Sequence, residues 1–503
     1  MTRQFRCIAS CIAVVTTIGC AAGRPAPVPS PTDRDGRAEL SAAIDSLVGA
    51  SEFRNAHWGV LIVNPGTGET LYSRNAGKLF MPASNMKVVT GAVALATLGA
   101  DFRFRTTFVA SGVVRDSVLR GDLIVHGRGD PSLSDAMRRD AMLPMREIAD
   151  SLAKRGIALI AGTIRPGDDV FPDAAYGYGW SWDDLAQPYS AGVDELLFNE
   201  GFTRITVRAG SVTGARVTAT TTPIRSHPVL HIDAVTAPGA VAGGGTAGNA
   251  PRIMITRDTA TGAAVVAGQL APGDSFTTRR AYVDQRIAFL AALREALAER
   301  GIAISDSSTA AYPHRVDTLF VLHSPALREI LPAFQKPSQN QIGEVLLKTL
   351  GLEGTGAGRA DSGRAVVERT LVGWGAERDG FIVRDGSGLS RYNYLTPETL
   401  VRTLSGIRLD TAFSDFRDAL PIAGVDGTIA NRMKGTPAEG NARAKTGFIA
   451  QARALSGYVT SADGETLIFS LLCNNWTVPV RDVERVQDAI VARLAGMRLA
   501  GPR

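Results

Sequence analysis

The stretch MPASNMKVVTGAVALATLG, from Met81 to Gly99, predicts a buried helix that begins next to a serine. Pro82 favours an extended approach to the first turn. The residues after Lys87 are apolar on nearly every face, which is typical of a helix enclosed by other elements. Ser84 should lie near the positive end of the helix dipole. Because positions i and i+3 share a helix face, the Lys87 amine can reach the Ser84 hydroxyl.

The Ser84–Lys87 pair indicates nucleophilic chemistry, although its spacing alone is weak evidence. An apolar helix desolvates Lys87 and lowers its pKa, which a lysine needs in order to act as a base. The alternative is that Ser84 only caps the helix. Ser151 and Lys154 have the same spacing late in an amphipathic helix, where it carries no such implication. Whether Ser84 is a nucleophile or only a helix cap therefore depends on motifs elsewhere in the chain.

The regions on both sides of the middle third predict one mixed α/β domain. WGVLIVN and ETLYSRN flank the turn Pro65–Gly68 and predict a hairpin. Near the other end, NARAKTG, ARALSGYVT and TLIFSLLCN predict three strands, and RDVERVQDAIVARLAG predicts a helix. Between them, residues 104–315 contain many short strand-like runs and a glycine-rich loop. We expect a domain over 38–103 and 316–503, with 104–315 inserted as two small subdomains.

Two further triplets offer chemistry on either side of a cleft. In Ser338-Gln339-Asn340, a hydroxyl could relay a proton and an amide could hold a carbonyl. The alternative is capping of the following helix. In Lys445-Thr446-Gly447, a cation and a hydroxyl on a strand edge could hold a carboxylate, and the glycine would let a substrate backbone approach. The alternative there is a surface turn.

The three triplets S-x-x-K, S-x-N and K-T-G, in this order, form a set known from penicillin-binding proteins and class A β-lactamases. The long separation of Lys87 from Ser338 implies a large insertion between the first two motifs, which distinguishes one family among the proteins that have this set. The chain resembles the D-alanyl-D-alanine carboxypeptidase/endopeptidase family, the low-molecular-mass class C penicillin-binding proteins. GDLIVHGRGDPSL, GWSWDDL, DGSGLSRYN and DGTIANRMKGT also resemble that family. The resemblance implies an α/β fold of the penicillin-binding and serine β-lactamase type, an antiparallel sheet flanked by helices, with a large β-rich inserted region.

The resemblance also implies roles for the residues that match the motifs. Ser84 would attack the carbonyl of the penultimate D-alanine, and Lys87 would take its proton. Ser338 would lie on the proton path. The residues that would bind substrate are Asn340, Lys445, Thr446, Gly447 and Phe448, with the backbone N–H groups of Ser84 and Phe448 as the oxyanion hole. Two positions depart from the common pattern, because Gln339 replaces Asp and Phe448 is bulkier than the usual Thr or Ser.

The first residues predict export. Arg3 and Arg6 precede a short apolar run that is too short to span a bilayer, so residues 1–20 are interpreted as an export signal. The run ends in Cys20 within a box of the lipoprotein type. Lipidation of Cys20 would tether the mature chain to a membrane, and the alternative is ordinary cleavage nearby. Residues 21–37, rich in Pro and Gly, are interpreted as a flexible spacer.

Composition excludes several function classes. The 503 residues carry a net charge of only +5, with no basic stripe of the kind that nucleic-acid binders show. The six histidines form no ligand spacing, so we expect no metal and no cofactor. Trp180 and Trp182 are interpreted as packing residues of the insertion.

The leading hypothesis is an exported enzyme of the bacterial cell envelope or periplasm that acts on peptidoglycan stem peptides. A β-lactam should acylate Ser84, because the drug mimics the D-Ala-D-Ala end. One rival is a β-lactamase with the same acylating residues, which would need a glutamate to hold a deacylating water. Another rival is a catalytically silent envelope protein that only binds peptidoglycan.

Overall fold

The computed structural model describes residues 31–238, 253–258, 261–306 and 315–499. The predicted export signal and Cys20 lie outside these residues. In chain order the helices are α1 (Pro31–Val48), α2 (Met86–Leu98), α3 (Asp135–Arg138), α4 (Met142–Ala153), α5 (Gln285–Glu299), α6 (Leu327–Gln335), α7 (Asn340–Thr355), α8 (Ala360–Gly373), α9 (Pro397–Ile407), α10 (Phe413–Ala419) and α11 (Val480–Gly496).

The first ten strands are β1 (His57–Asn64), β2 (Glu69–Arg74), β3 (Arg105–Arg115), β4 (Val118–His126), β5 (Leu159–Ile160), β6 (Ile164–Pro166), β7 (Phe202–Arg208), β8 (Thr218–Thr222), β9 (Leu230–Ile232) and β10 (Val235–Thr236). The others are β11 (Met254–Arg257), β12 (Ala264–Ala267), β13 (Gln269–Leu270), β14 (Ser275–Ala281), β15 (Ala303–Ile304), β16 (Val316–His323), β17 (Phe381–Ile382), β18 (Tyr394–Leu395), β19 (Arg443–Ile449), β20 (Ala452–Thr460) and β21 (Thr466–Asn474).

A five-stranded antiparallel sheet in the order β19-β20-β21-β1-β2 forms the centre of the main domain. The predicted hairpin is confirmed as β1 and β2, and the three predicted C-terminal strands are confirmed as β19, β20 and β21. The apolar runs of β20 and β21 are buried on both faces, as expected for central strands. Strand β19 is at the edge of the sheet, and its Gly447 lies next to the turn that precedes α2.

The central sheet separates two hydrophobic clusters, because successive side chains of a strand point to opposite faces. On one face, Leu61 and Leu472 pack with α2 and with helices α6 to α9. On the other face, Val60 and Leu471 pack with α1 and α11. Helix α2 is confirmed as a buried element, since its residues from Met86 to Leu95 are all enclosed. It lies in the centre of its cluster, as its uniformly apolar surface predicts.

The insertion is built on its own sheet in the order β15-β5-β4-β3-β16, with β6 paired to β4. Helices α4 and α5 pack against this sheet around a third hydrophobic cluster. Strand β16 pairs with β3, so this sheet extends to His323, past the expected boundary between 315 and 316. VDTLFVLH is a strand as its pattern predicts, but a strand's sequence does not say which sheet it joins.

The strands β7 to β14 form smaller sheets around a fourth cluster that includes Ile205 and Val266. At the start of the main domain, α1 begins at Pro31. The predicted spacer 21–37 therefore overlaps a helix over 31–37, where polar residues precede the apolar positions Leu40 and Ile44. Among the described helices, we find none with the length and apolar composition needed to cross a bilayer.

The packing of α7 gives a test of this core. Leu346 is fully buried in the cluster that also contains residues of α2 and α8, whereas Leu409 is 87% exposed. We expect Leu346→Ala to lower the free energy of unfolding by about 2 to 5 kcal/mol, because it removes buried methyl groups and leaves a cavity. The matched change Leu409→Ala should alter it by less than about 0.5 kcal/mol. Urea unfolding monitored by circular dichroism measures both, and equal effects would contradict the described packing.

Candidate active site

Ser84 lies in a 3₁₀ turn, Ala83–Asn85, that leads directly into α2. Its hydroxyl oxygen accepts a hydrogen bond from Lys87 Nζ at 3.0 Å, as the i, i+3 spacing predicts. No side-chain cap is formed at the start of this turn or of α2. Within the described chain the capping alternative for Ser84 is therefore not observed, and the hydroxyl instead contacts the amine.

Lys87 is completely buried, and its amine contacts three oxygen atoms. Besides Ser84 Oγ, these are Asn340 Oδ1 at 2.6 Å and the Ser387 carbonyl oxygen at 2.6 Å. Burial lowers the pKa of Lys87 to about 7, although the charges of Asp385 and Glu344 act in the opposite direction. A large fraction of the lysine is therefore uncharged near neutral pH, and uncharged lysine can accept a proton.

The Ser338-Gln339-Asn340 segment places its amide at Lys87 and its hydroxyl at a cleft. Asn340 donates from Nδ2 to the Tyr189 carbonyl at 2.7 Å, which orients its Oδ1 towards Lys87. Gln339 caps α7, because its side chain accepts from the Ile342 N–H. Capping is thus performed by the middle residue, which leaves its neighbours free for other roles.

Ser338 has a φ of 65°, in the left-handed region that non-glycine residues rarely adopt. Within the described residues its hydroxyl makes no hydrogen bond. It borders a cleft of about 610 Å³ that Asn340, Tyr189 and the insertion also line. The described residues that line this cleft do not include Ser84 or Lys87, so the segment is joined to the pair through Asn340, which contacts Lys87.

Lys445 and Gly447 of β19 face the turn that carries Ser84. Lys445 is fully buried, and its pKa is lowered well below the usual value by burial, and further by the charges of Lys87 and Arg453. Its amine donates to the Thr446 carbonyl at 3.0 Å, and its own carbonyl accepts from Asn85 Nδ2 at 2.8 Å. The segment is an integral strand of the central sheet, not a surface turn.

Gly447 is required by a close approach within the chain itself. A Cβ at this position would lie 2.4 Å from the Pro82 carbonyl oxygen and 3.1 Å from the Asn85 nitrogen. Sequence analysis expected the glycine to admit a substrate backbone. In the structure the glycine lets the edge of β19 contact the turn around Ser84, and so sets the spacing between the two, while its role towards a substrate stays a prediction.

The outer side of β19 carries Thr446 and Phe448. The Thr446 hydroxyl hydrogen-bonds to that of Thr428 at 2.7 Å. The Phe448 ring is 54% exposed, and the Arg453 guanidinium lies 5.3 Å from its centroid. Thr428 belongs to DGTIANRMKGT, a stretch for which sequence analysis gave no individual role.

The loop 385–393, within DGSGLSRYN, supports Lys87 and was not assigned a role from sequence. Asp385 accepts from the backbone N–H groups of Gly388 and Ser390 and from Asn393 Nδ2, so the loop folds around this carboxylate. Glu344 of α7 accepts from the N–H groups of Ser387 at 2.8 Å and Gly386 at 3.2 Å. These contacts aim the Ser387 carbonyl at Lys87. Burial, followed by the Asp385 charge, raises the pKa of Glu344 to about 8.

The insertion contacts the candidate site directly. Besides the Tyr189 carbonyl, the carbonyls of Pro188 and Ala191 accept hydrogen bonds from Gln341 of α7. Trp180 donates from its indole nitrogen to Asp385 at 2.9 Å. The interpretation of Trp180 as a packing residue agrees with this bond. Trp182, however, is 85% exposed, so its interpretation as a packing residue was wrong.

Known proteins resemble this chain over most of its length. A D-alanyl-D-alanine carboxypeptidase of Actinomadura sp. (strain R39) is 36% identical over 473 residues, which cover 91% of this chain and 84% of that protein. The D-alanyl-D-alanine carboxypeptidase DacB of Haemophilus influenzae is 27% identical over 432 residues, with coverage of 83% and 85%. Residues 40–497 match the sequence profile of a family described as D-Ala-D-Ala carboxypeptidase 3 (S13).

Solved structures share the fold. The crystal structure of penicillin binding protein 4 (dacB) from Haemophilus influenzae superposes with a TM-score of 0.76 at 23% identity, covering 90% of this chain and 99% of that one. The same protein complexed with a β-lactam gives a TM-score of 0.71 at 22% identity. The predicted penicillin-binding fold with a large insertion is thereby confirmed. By the extent of the sequence match, the chain belongs to the D-Ala-D-Ala carboxypeptidase 3 (S13) family of serine peptidases.

Proposed function

We propose that this chain hydrolyses the D-Ala-D-Ala bond of peptidoglycan stem peptides through an acyl-enzyme on Ser84. The observation that carries this proposal is the contact between the Ser84 hydroxyl and the fully buried Lys87 amine. A serine hydroxyl is a weak nucleophile unless an adjacent base takes its proton. Burial of Lys87 supplies such a base near neutral pH.

The acylation step follows from this contact. Uncharged Lys87 takes the hydroxyl proton while Ser84 Oγ attacks the carbonyl carbon of the penultimate D-alanine. The N–H groups of Ser84 and Phe448 bind the oxygen that becomes negatively charged, a contribution of about 10² to 10³ in rate per donor in other enzymes. The C–N bond then breaks, and the terminal D-alanine leaves after its nitrogen receives a proton by way of Ser338. Water hydrolyses the acyl ester and restores Ser84.

The proposed binding residues surround this centre. Asn340, fixed between Lys87 and the Tyr189 carbonyl, holds the acyl chain. The Thr446 hydroxyl, paired with Thr428, binds the terminal carboxylate of the substrate. Lys445, when protonated, contributes positive electrostatic potential from the buried side of β19. Its side chain is fully buried and its amine donates to the Thr446 carbonyl, so we assign it no direct contact with the substrate.

Penicillin should acylate the same serine, because a β-lactam presents a strained carbonyl to the nucleophile. A β-lactamase would also need a glutamate that holds a deacylating water near the ester. Glu344 is the acidic residue of α7 nearest to this machinery, and its carboxylate accepts the Ser387 and Gly386 N–H groups. It is therefore occupied in supporting the loop, which favours the peptidase over the β-lactamase.

We also propose that the substrates include cross-linked stems. The cleft of about 610 Å³ beside Ser338 has the size of a typical ligand pocket, and it could receive the second stem of a cross-link.

The basic residues before the first apolar run support export to the cell envelope. Attachment through a lipid on Cys20 is part of the same proposal, and mass spectrometry of the mature N-terminus tests it.

The nucleophile can be tested with matched serine variants. We expect Ser84→Ala to abolish covalent labelling by a fluorescent penicillin and release of D-alanine from a pentapeptide stem, because no other hydroxyl contacts Lys87 in the described structure. Ser151→Ala is the control, since Ser151 has the same spacing to a lysine but donates to the Glu147 carbonyl in α4. Persistent labelling of Ser84→Ala would exclude Ser84 as the nucleophile.

The pH dependence of acylation tests the base. Because burial lowers the pKa of Lys87 to about 7, its protonated fraction grows below that pH and the base is lost. We expect the acylation rate to fall by about tenfold per pH unit below about pH 7 and to level off above it. Stopped-flow labelling over that range measures the profile. A rate that does not change through pH 7 would contradict the assignment of Lys87 as the base.

Gly447→Ala tests the spacing between β19 and the turn at Ser84. The added methyl group would meet the Pro82 carbonyl oxygen, so either the strand edge or the turn at Ser84 must shift, which changes the spacing between Ser84 and the Phe448 N–H. We expect the acylation rate to fall by about 10² or more, the cost of losing one oxyanion donor. Gly373→Ala is the matched control, because nothing lies within 4 Å of a Cβ there. An unchanged rate in Gly447→Ala would reject the proposed oxyanion hole.

A further inference from the structure

Three carboxylates of the insertion converge outside the candidate active site. They belong to Asp169, in the loop after β6, and to the consecutive residues Asp194 and Glu195. One oxygen from each of the three lies within 4.8 Å of the others. Asp169 is exposed, Asp194 is half-buried and Glu195 is buried. The group therefore extends from the solvent into the interior of the protein.

Glu195 is the unusual member of this group. Its side chain is only 1% exposed, and both carboxylate oxygens are enclosed without a hydrogen-bond donor among the described residues. Its backbone carbonyl accepts from the Gly129 N–H at 2.7 Å, which fixes the residue in place. Burial, together with the neighbouring Asp194, raises the pKa of Glu195 to about 9. Buried carboxylates normally have donors or bind cations, whereas the side-chain partner of Glu195 is another carboxyl group, that of Asp194, which it can contact only by sharing a proton.

The charges around Glu195 are incompletely balanced. Arg286 of α5 lies with Nε 3.2 Å from Asp194 Oδ2 and with Nη1 3.9 Å from Asp169 Oδ2. It also lies 3.8 Å from Asp284, whose other carboxylate oxygen caps α5. This guanidinium thus contacts two of the three carboxylates, and Glu195 keeps a proton while no cation is bound. If all three carboxylates were ionised, the group and Arg286 together would carry an excess of two negative charges. A divalent cation would balance that excess.

We propose that Asp169, Asp194 and Glu195 bind a divalent cation, and that the cation is calcium. All the available ligand atoms are oxygens, which hard cations prefer. Calcium accepts irregular geometries and mixed protein and water ligands, whereas magnesium demands near-ideal octahedral geometry. The exposed side at Asp169 leaves room for waters to complete the coordination. The sequence predicts no metal, because the ligands of this site come from two separate segments of the chain.

The position of the site suggests its effect. Segment 189–195 runs from the carbonyl that holds Asn340 to the buried carboxylate of Glu195. Gly129, bonded to Glu195, packs against Phe171 and against Val345 of α7. A bound ion would therefore fix the end of the segment opposite Asn340, and would stabilise the contact between insertion and main domain.

Thermal unfolding of the chelator-treated full chain, with calcium added back, tests the site. We expect calcium to raise the Tm by about 2 to 8 °C, because a ligand that binds only the folded state stabilises it. Isothermal titration calorimetry should give one ion per chain. Glu195→Gln should remove both signals, and Asp169→Asn, which keeps an oxygen to accept the Phe171 N–H, should weaken them. Magnesium at equal concentration should produce a smaller shift.

Asp116→Asn is the matched control, because Asp116 is an exposed aspartate of the same insertion, away from the group. It should keep the full calcium response. Two results would overturn the proposal. One is the absence of any calcium-dependent shift in the unmodified chain, which would assign a shared proton to Glu195 and Asp194. The other is an undiminished shift in both site variants. The measurements have no catalytic readout, so neither result bears on Ser84.

Discussion

The structure depends on the burial of one amine. Lys87 is enclosed on all sides, and its three oxygen partners come from its own helix turn, from α7 and from the loop 385–393. An ammonium group is costly to remove from water unless such partners surround it. Two of these partners are in turn held by a further contact: Asn340 by the Tyr189 carbonyl and Ser387 by Glu344. The turn before α2, the start of α7 and the loop 385–393 therefore come together around the Lys87 amine.

The insertion is part of this arrangement and not an appendage. Its segment 188–191 presents three carbonyls to the first residues of α7, and its Trp180 reaches the carboxylate around which the supporting loop folds. The orientation of the Asn340 amide, which decides whether oxygen or nitrogen faces Lys87, is set from the insertion. A chain that lost this segment would keep its motifs but lose the contact that orients one of them.

Sequence analysis predicted the parts of this site that are local. Ser84 and Lys87 are one turn apart, and β20 and β21 have the apolar composition of central strands. The contacts to Tyr189, Ser387 and Glu344 are made between segments far apart in the chain, and no local pattern reports them. Gly447 shows the same limit. The sequence shows that the residue is a glycine, but it does not show that the Pro82 carbonyl lies against it. The pairing of β16 with β3 was hidden for the same reason.

The division of the helices between the two faces of the central sheet determines how the cleft would be oriented if the molecule were attached through its first helix. Helix α1 packs with α11 on the face opposite α2, so the described chain begins on the far side of the sheet from Ser84. A molecule fixed through its first helix would turn the cleft away from the point of attachment. A long polymer could then reach the serine from the open side, with the body of the sheet acting as a spacer.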